Sequence, residues 1–466
     1  MSKELFIEEF CDLDSKLIMK KTQGYIGEKG AILVEESGHM ILLEKEYILQ
    51  LKSHKIPREI IGKLQSRNFI MSNEKPGNEK PGNDISTCEC AVRPEFFMID
   101  LTRKCNMHCK YCLRDISSES KSISTHIVKD ICKFIRNYCK KYKLKDITIQ
   151  PWGGEPLIEL ENILLMRQEL SNLETHVHFS IETNALLLTE EAIEQLYDNK
   201  IGIGISIDGY KEVHDKQRVF ENGHGTHNIV EKNLFRAKEK YGNYLGTITT
   251  VTRINAAQIE NVLEYYATNL GLKNVKFNYV HESMFTECRD LCLSKEEIAE
   301  TEIRLLNKLV ELNEKGFEIT EHNISVKLKN ILTRKYTDIC HSCGCTGGKK
   351  MIVFDMNGNY YPCELTDILD ESIGNIYDDK DLIVNLVDAI KNKDFFVEKK
   401  DDKCLNCMWD VYCKGGCTVR AISRGTRPPS IDEIECAVNT SLYPALLEMI
   451  VTKPKIVNKI IGCEIL

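Results

Sequence analysis

Between residues 95 and 290 the sequence alternates in a way that leaves few folds open. Short apolar runs at Phe96–Thr102, Asp146–Gln150, His178–Thr183, Ile201–Asp208, Gly246–Thr252 and Val275–Val280 read as strands. Helix-like stretches at 124–141, 160–171, 189–199, 226–241 and 257–269 separate them. Strand, helix, strand repeated in this way calls for a parallel sheet with right-handed crossovers. Six units predict an α/β fold, an open partial (β/α)6 TIM barrel rather than a closed eightfold one. Sites in such sheets lie at the carboxyl ends of the strands.

The flanking segments read differently. Residues 1–71 hold strand-like runs at 30–35 and 39–43, helical runs at 44–53 and 57–66, and a short closing run at Phe69–Met71, a winged-helix-like pattern. Residues 72–94 form a linker that carries Asn-Glu-Lys-Pro-Gly twice in tandem, at 73–77 and 78–82. Polar low complexity with Pro and Gly suits a tether. A helical connector (291–339), a loop-rich cysteine segment (340–440) and a tail (441–466) complete the chain. The cysteine segment has few long apolar runs, so bound metal is expected to stabilise it.

Composition narrows the function. A net charge of −8 over 466 residues argues against a nucleic-acid partner. No signal peptide is visible and no apolar stretch reaches membrane-span length, so a cytoplasmic protein without a membrane partner is expected. In a reducing compartment, 20 cysteines suggest metal ligands rather than disulfides. Cys132 and Cys139 fall in a helical pattern and read as core residues.

Cys105, Cys109 and Cys112 follow the first strand at CxxxCxxC spacing. Thiolates this close select zinc or iron–sulfur. Zinc sites come as CxxC pairs, although His108 offers a further nitrogen ligand. Three ligands without a local fourth suggest a cluster with one iron open to another molecule. At the end of the second strand stands Trp152-Gly153-Gly154-Glu155-Pro156. Paired glycines let backbone approach a ligand closely, and a carboxylate can accept from an ammonium group.

This combination, with Tyr111 before the last cysteine, resembles the radical S-adenosylmethionine (radical SAM) superfamily. The resemblance implies a [4Fe–4S] cluster on Cys105, Cys109 and Cys112 whose open iron chelates S-adenosylmethionine. It implies reductive cleavage to a 5′-deoxyadenosyl radical that abstracts hydrogen from substrate. By position it implies that Gly153, Gly154 and Glu155 meet the methionyl amine and that Tyr111 lies near the adenine. Asn184, Ser206 and Asp208 would reach the ribose and methionyl groups. Arg218 is a candidate carboxylate clamp, since its donor fork suits that group. One departure is Asn184-Ala185, where relatives often have Asn-Gly, which is expected to alter the local turn.

A second constellation runs Cys345-x12-Gly358-x4-Cys363, then Cys404-x2-Cys407-x5-Cys413-x3-Cys417, then Cys436. It resembles the SPASM extension of radical enzymes that act on peptides and proteins. That implies two auxiliary [4Fe–4S] clusters, three in all. One would use Cys345, Cys363 and Cys417 with Cys340 or Cys343 as fourth ligand, or none. The other would use Cys404, Cys407, Cys413 and Cys436. Cys288-x3-Cys292 reads as two packed helical cysteines or a redox pair, and Cys88 and Cys90 as free thiols. Glu364, directly after Cys363, stands where sulfatase-maturing relatives have their proposed proton acceptor; a solvent-facing glutamate is the alternative.

The first unit resembles the peptide-recognition element of maturases acting on ribosomally made peptides, which bind a leader as an added strand. The expected function is radical maturation of such a precursor peptide, ending in an oxidative cross-link. A thioether is the first expectation, then a carbon–carbon or ether bond. Flavodoxin or ferredoxin is the expected electron donor. The rivals are an anaerobic sulfatase-maturing enzyme and a non-catalytic iron–sulfur electron carrier.

Overall fold

The computed structural model describes residues 3–7, 11–12, 17–19, 22–26, 31–35, 40–44, 46–47, 50, 58–66, 69–72, 92–114, 116, 121–282, 287–333, 338–340, 345–364, 372–396, 402–405, 407, 409–423 and 431–464. Ahead of the barrel, β1 (Lys3–Ile7), β4 (Thr22–Ile26), β5 (Ala31–Glu35) and β6 (Met40–Leu43) form one antiparallel sheet in that order. β2 (Cys11–Asp12), β3 (Leu17–Met19) and β7 (Ile70–Ser72) form a second. Only β5, β6, β7 and the helix Arg58–Ser66 are anticipated by the sequence. The four earlier strands, two to five residues long, are not anticipated by it. Most of the expected helix at 44–53, the tandem linker, Cys88, Cys90 and Cys343 lie outside the described residues.

The barrel strands fall where the alternation predicts them. They are β8 (Phe96–Thr102), β9 (Asp146–Gly153), β10 (His176–Thr183), β11 (Ile201–Ser206), β12 (Gly246–Val251) and β13 (Asn274–Tyr279). All are parallel to their barrel neighbours. The alternation has a physical basis visible in β11: Ile201, Ile203 and Ile205 are buried while Gly202, Gly204 and Ser206 are half-exposed. Crossover helices such as Thr125–Tyr142 and Glu190–Asp198 start at side-chain caps, Ser124 accepting from Ile127 N and Thr189 from Ala192 N.

The sheet continues past the barrel. β14 (Thr320–Glu321) joins β13. At the other edge β15 (Met351–Phe354) runs parallel to β8, and β16 (Asn359–Tyr361) and β17 (Gly374–Asn375) follow antiparallel. Part of 340–440 therefore packs on the barrel through apolar side chains of its own. Ile352, Phe354, Tyr360 and Leu386 are fully buried there, and Phe354 stacks on Phe97 of β8 at 6.4 Å.

The structure corrects the expectation on apolar length. The helix Glu433–Thr452 is long and apolar enough to cross a membrane by length and composition, which the sequence reading did not expect. More than half of it is buried. It also carries Glu435 and Asn439, which hold the buried Lys327 ammonium at 2.7 and 2.6 Å. It is a core helix in which Glu435 and Asn439 share an internal partner.

Candidate active site

The cysteine loop leaves β8 at Thr102 and is gripped from three sides. From β9, Gly154 N donates to Thr102 O (2.7 Å) and Glu155 N donates to Lys104 O (2.9 Å). A Cβ on Gly154 would stand 2.3 Å from Lys104 O, and one on Gly153 would stand 2.5 Å from Thr102 O. The paired glycines therefore let two backbones meet where the loop begins.

From β10, Asn184 Nδ2 donates to Asn106 Oδ1 (2.7 Å) and lies 3.7 Å from Cys105 Sγ. Glu155 fixes that strand end. Its Oε1 accepts from Thr183 Oγ1 (2.7 Å) and Leu157 N (3.0 Å), and its Oε2 accepts from Asn184 N (2.8 Å). The sequence suggests Glu155 as an ammonium acceptor; in the structure its carboxylate already takes three protein donors. Ala185 adopts φ +64°, so the turn after Asn184 is left-handed without glycine.

From the segment after β11, Val219 O accepts from His108 N (2.7 Å) and Gln217 O accepts from Lys110 N (2.9 Å). Beneath lies a buried network. Tyr111 OH donates to Asp208 Oδ2 (2.5 Å) and accepts from Arg218 Nη1 (2.6 Å). Asp208 also accepts from Gln217 Nε2 (2.9 Å) and Thr250 N (2.9 Å). Burial pushes the Asp208 carboxyl up, and the nearby Arg218 guanidinium opposes the shift. Tyr111, Asp208 and Arg218 thus form one unit that clamps the loop, with Ser206 half-buried at the end of β11. Asn106 and Gln217 are missed by sequence reasoning because nothing in their spacing marks them.

Three observations fit a cluster and an amino-acid ligand here. Burial pushes the Cys105 thiol up to about 11 and the Cys109 thiol up to about 12, so holding them as thiolates calls for a bound cation. Among the described residues no three cysteine sulfurs lie within 4.8 Å of one another, whereas a single zinc ion with bonds of about 2.3 Å draws its sulfurs closer than that. Arg218 Nε is buried without a partner, a donor left over for a ligand. Cys105, Cys109 and Cys112 would hold the cluster. Cys288 and Cys292 flank a 3-10 turn rather than lying on a helix, and both pack beside Tyr111 and Cys109.

The lumen carries charge that the sequence reading passes over. Glu182 on β10, Lys276 on β13 and Glu364 lie within electrostatic reach of one another. Burial pushes the Glu364 carboxyl up, Glu182 adds to the shift, and Lys276 and Arg114 oppose it. Arg114, which ion-pairs with Asp100, donates to Glu364 O at 3.1 Å and so ties the first cysteine loop to the second constellation. Strand alternation could have revealed this pair, since Glu182 lies between Ile181 and Thr183 and Lys276 between Val275 and Phe277, all four buried.

Cys345, Cys363 and Cys417 gather around Phe395, Val419 and Ile422. Cys340 is within electrostatic reach of Cys417 and Glu364. Cys404, Cys407, Cys413 and Cys436 line one cavity. Asp432 joins the two groups: it accepts from Cys417 N (3.0 Å) and Arg420 Nε (2.7 Å), and it caps the helix that bears Cys436.

An open parallel barrel that presents three clamped thiols at its carboxyl rim, backed by Gly-Gly-Glu-Pro, defines a class. Residues 99–266 match the family model of the radical SAM superfamily, so the chain is an enzyme that carries a radical SAM domain there, and its fold is similar to that of the SPASM-type maturases. It is 25% identical over 333 residues to the cysteine-type anaerobic sulfatase-maturating enzyme of Clostridium perfringens, covering 67% of this chain and 85% of that one. The structure of native anSMEcpe with bound AdoMet superposes with a TM-score of 0.65 at 23% identity, covering 77% of this chain and 100% of that one. Streptococcus suis SuiB bound to its precursor peptide SuiA superposes with a TM-score of 0.52 at 15% identity, covering 91% and 99%. The last two likenesses are of fold.

Proposed function

We propose that the chain is a maturase of a ribosomally made precursor peptide, carrying three [4Fe–4S] clusters and cross-linking its substrate oxidatively. The observation that carries this reading is the strand-rich unit ahead of the barrel. SuiB with its peptide matches 91% of the chain, more than residues 93–466 supply. The edges of the β1-β4-β5-β6 sheet offer backbone for a leader strand. S-adenosylmethionine and a reduced cluster, when bound, supply a carbon radical able to take hydrogen from an unactivated carbon. Gly153, Gly154, Tyr111, Asn184, Ser206 and Asp208 would shape the ligand's bed, with Arg218 Nε its free donor. Glu155 would act by holding the rim of that bed. Glu364, within electrostatic reach of Lys276, would accept the proton the substrate sheds. A thioether is our first choice of bond, then a carbon–carbon or ether link, with flavodoxin or ferredoxin as electron donor. The sulfatase-maturing reading is favoured by the Clostridium relative.

The test is anaerobic reconstitution with S-adenosylmethionine, reductant and a candidate precursor peptide. We expect 5′-deoxyadenosine and a peptide two hydrogens lighter by mass spectrometry. Removal of residues 1–92 should keep 5′-deoxyadenosine formation but abolish the mass change. Glu364→Gln should keep cofactor cleavage while slowing product formation. Conversion of a sulfatase-derived peptide by the shortened chain would instead establish the sulfatase-maturing reading.

A further inference from the structure

We propose that Asp146, His176 and His178 form a binding site for a divalent transition-metal ion at the floor of the barrel, the end opposite the cysteine loop. β9 begins at Asp146 and β10 at His176, and the register sets these two residues side by side. His176 and His178 are two apart on one strand, so both rings stand on the same face. Their rings meet nearly at right angles, with centroids 4.2 Å apart.

Three ligand atoms converge. His176 Nδ1 lies 2.9 Å from His178 Nε2 and 3.4 Å from Asp146 Oδ1, and His178 Nε2 lies 3.9 Å from Asp146 Oδ1. Bonds of about 2.0–2.1 Å to one ion put tetrahedral ligand atoms about 3.4 Å apart. The three separations bracket that value. Among the described residues this is the one grouping of three His, Cys, Asp or Glu side chains with such convergence. Two imidazoles and a carboxylate suit zinc, iron(II), cobalt, nickel or copper; calcium and magnesium prefer oxygen alone.

The site is open yet fixed. Side-chain exposures of 68% for His176, 56% for His178 and 67% for Asp146 give solvent access to the ion. The backbone beneath is anchored, because Ile147 and Phe179 are buried. Three protein ligands leave a coordination position for water or an external group. At about 3.3 Å per residue, the length of β10 separates this site from Asn184 by on the order of 20 Å. A bound ion would pin together the two strands whose far ends, Gly153–Glu155 and Thr183–Asn184, seat the cysteine loop. It is therefore a clamp distinct in place and in ligand chemistry from every cysteine site.

Cobalt(II) and zinc are the probes, added anaerobically to the cluster-loaded full chain after excess iron is removed. We expect one equivalent of cobalt bound, with ligand-field bands of a nitrogen–oxygen site and no thiolate charge-transfer band. Zinc should displace the cobalt and raise the melting temperature. His176→Ala, His178→Ala and Asp146→Ala should each weaken binding by at least roughly tenfold, leaving basal 5′-deoxyadenosine formation unchanged. Thiolate charge transfer in the cobalt complex, undiminished binding in the triple variant, or no uptake by the parent protein would each overturn the proposal.

Discussion

At position 154 a methyl group in place of a hydrogen decides whether the cysteine loop can seat. The added Cβ would meet backbone, Lys104 O at 2.3 Å, and backbone cannot swing aside as a side chain can. Gly154→Ala is expected to fold its barrel but load far less iron at the first cluster, measured as iron per chain and as lost 5′-deoxyadenosine. Position 185 carries the opposite lesson. Ala185 holds φ +64° while fully buried, and Asn233 Nδ2 donates to its carbonyl at 2.8 Å. A left-handed non-glycine residue costs about 1 kcal/mol. Ala185→Gly should therefore raise the melting temperature or leave it level, the relief of strain offsetting the added unfolded-chain entropy. Two hydrogen bonds hold this turn, from Ala185 N to Thr183 Oγ1 and from Leu186 N to Asn184 Oδ1.

Among elements, the helix Lys295–Glu314 brings Glu302 against Glu321 of β14, both buried. Burial, then the Glu321 charge, pushes the Glu302 carboxyl from an ordinary 4.5 up to about 8. A carboxyl raised on folding binds its proton more tightly in the folded chain. Its contribution is full below 4.5, declines as pH rises and is gone above about 8. Glu302→Gln, neutral at every pH, should gain stability relative to the parent between pH 5 and 8, by up to about 1.4 kcal/mol per pH unit. Thermal melts across that range check the sign. The barrel elements were legible because their period is long and repeated; β8 matches residue for residue. The first cysteine set and Gly-Gly-Glu-Pro were legible because chemistry fixes their spacing. Alternation marks Glu182 and Lys276 each as a charge between buried strand neighbours, but that the two come within reach of one another is visible only in the fold. The strands before residue 27 escaped because pairing, rather than local pattern, creates them.

For the whole molecule, the join between barrel and cysteine-rich segment is a strand pairing rather than a hinge. Met351 to Phe354 lie beside Phe96 to Ile99. The residue after Cys363 is tied by Arg114 to the loop of Cys112. The first loop and the second cysteine constellation therefore share one frame. Sequence alone separated them, because the pairing partners lie far apart along the chain and β15 is only four residues long.

That pairing also sets an order of events at the ribosome. β8 emerges early and β9 can cover one of its edges soon after, but the other edge waits for β15 at Met351. Until then an apolar strand presents unpaired amides and carbonyls, the arrangement that recruits foreign strands. A chain stopped at Asp290 contains every residue of the family match and still should aggregate, seen as light scattering after expression. One extended past Tyr361 should stay dispersed. The nascent barrel is thus a body with an open flank, and its completion is timed by the start of the last quarter of the chain.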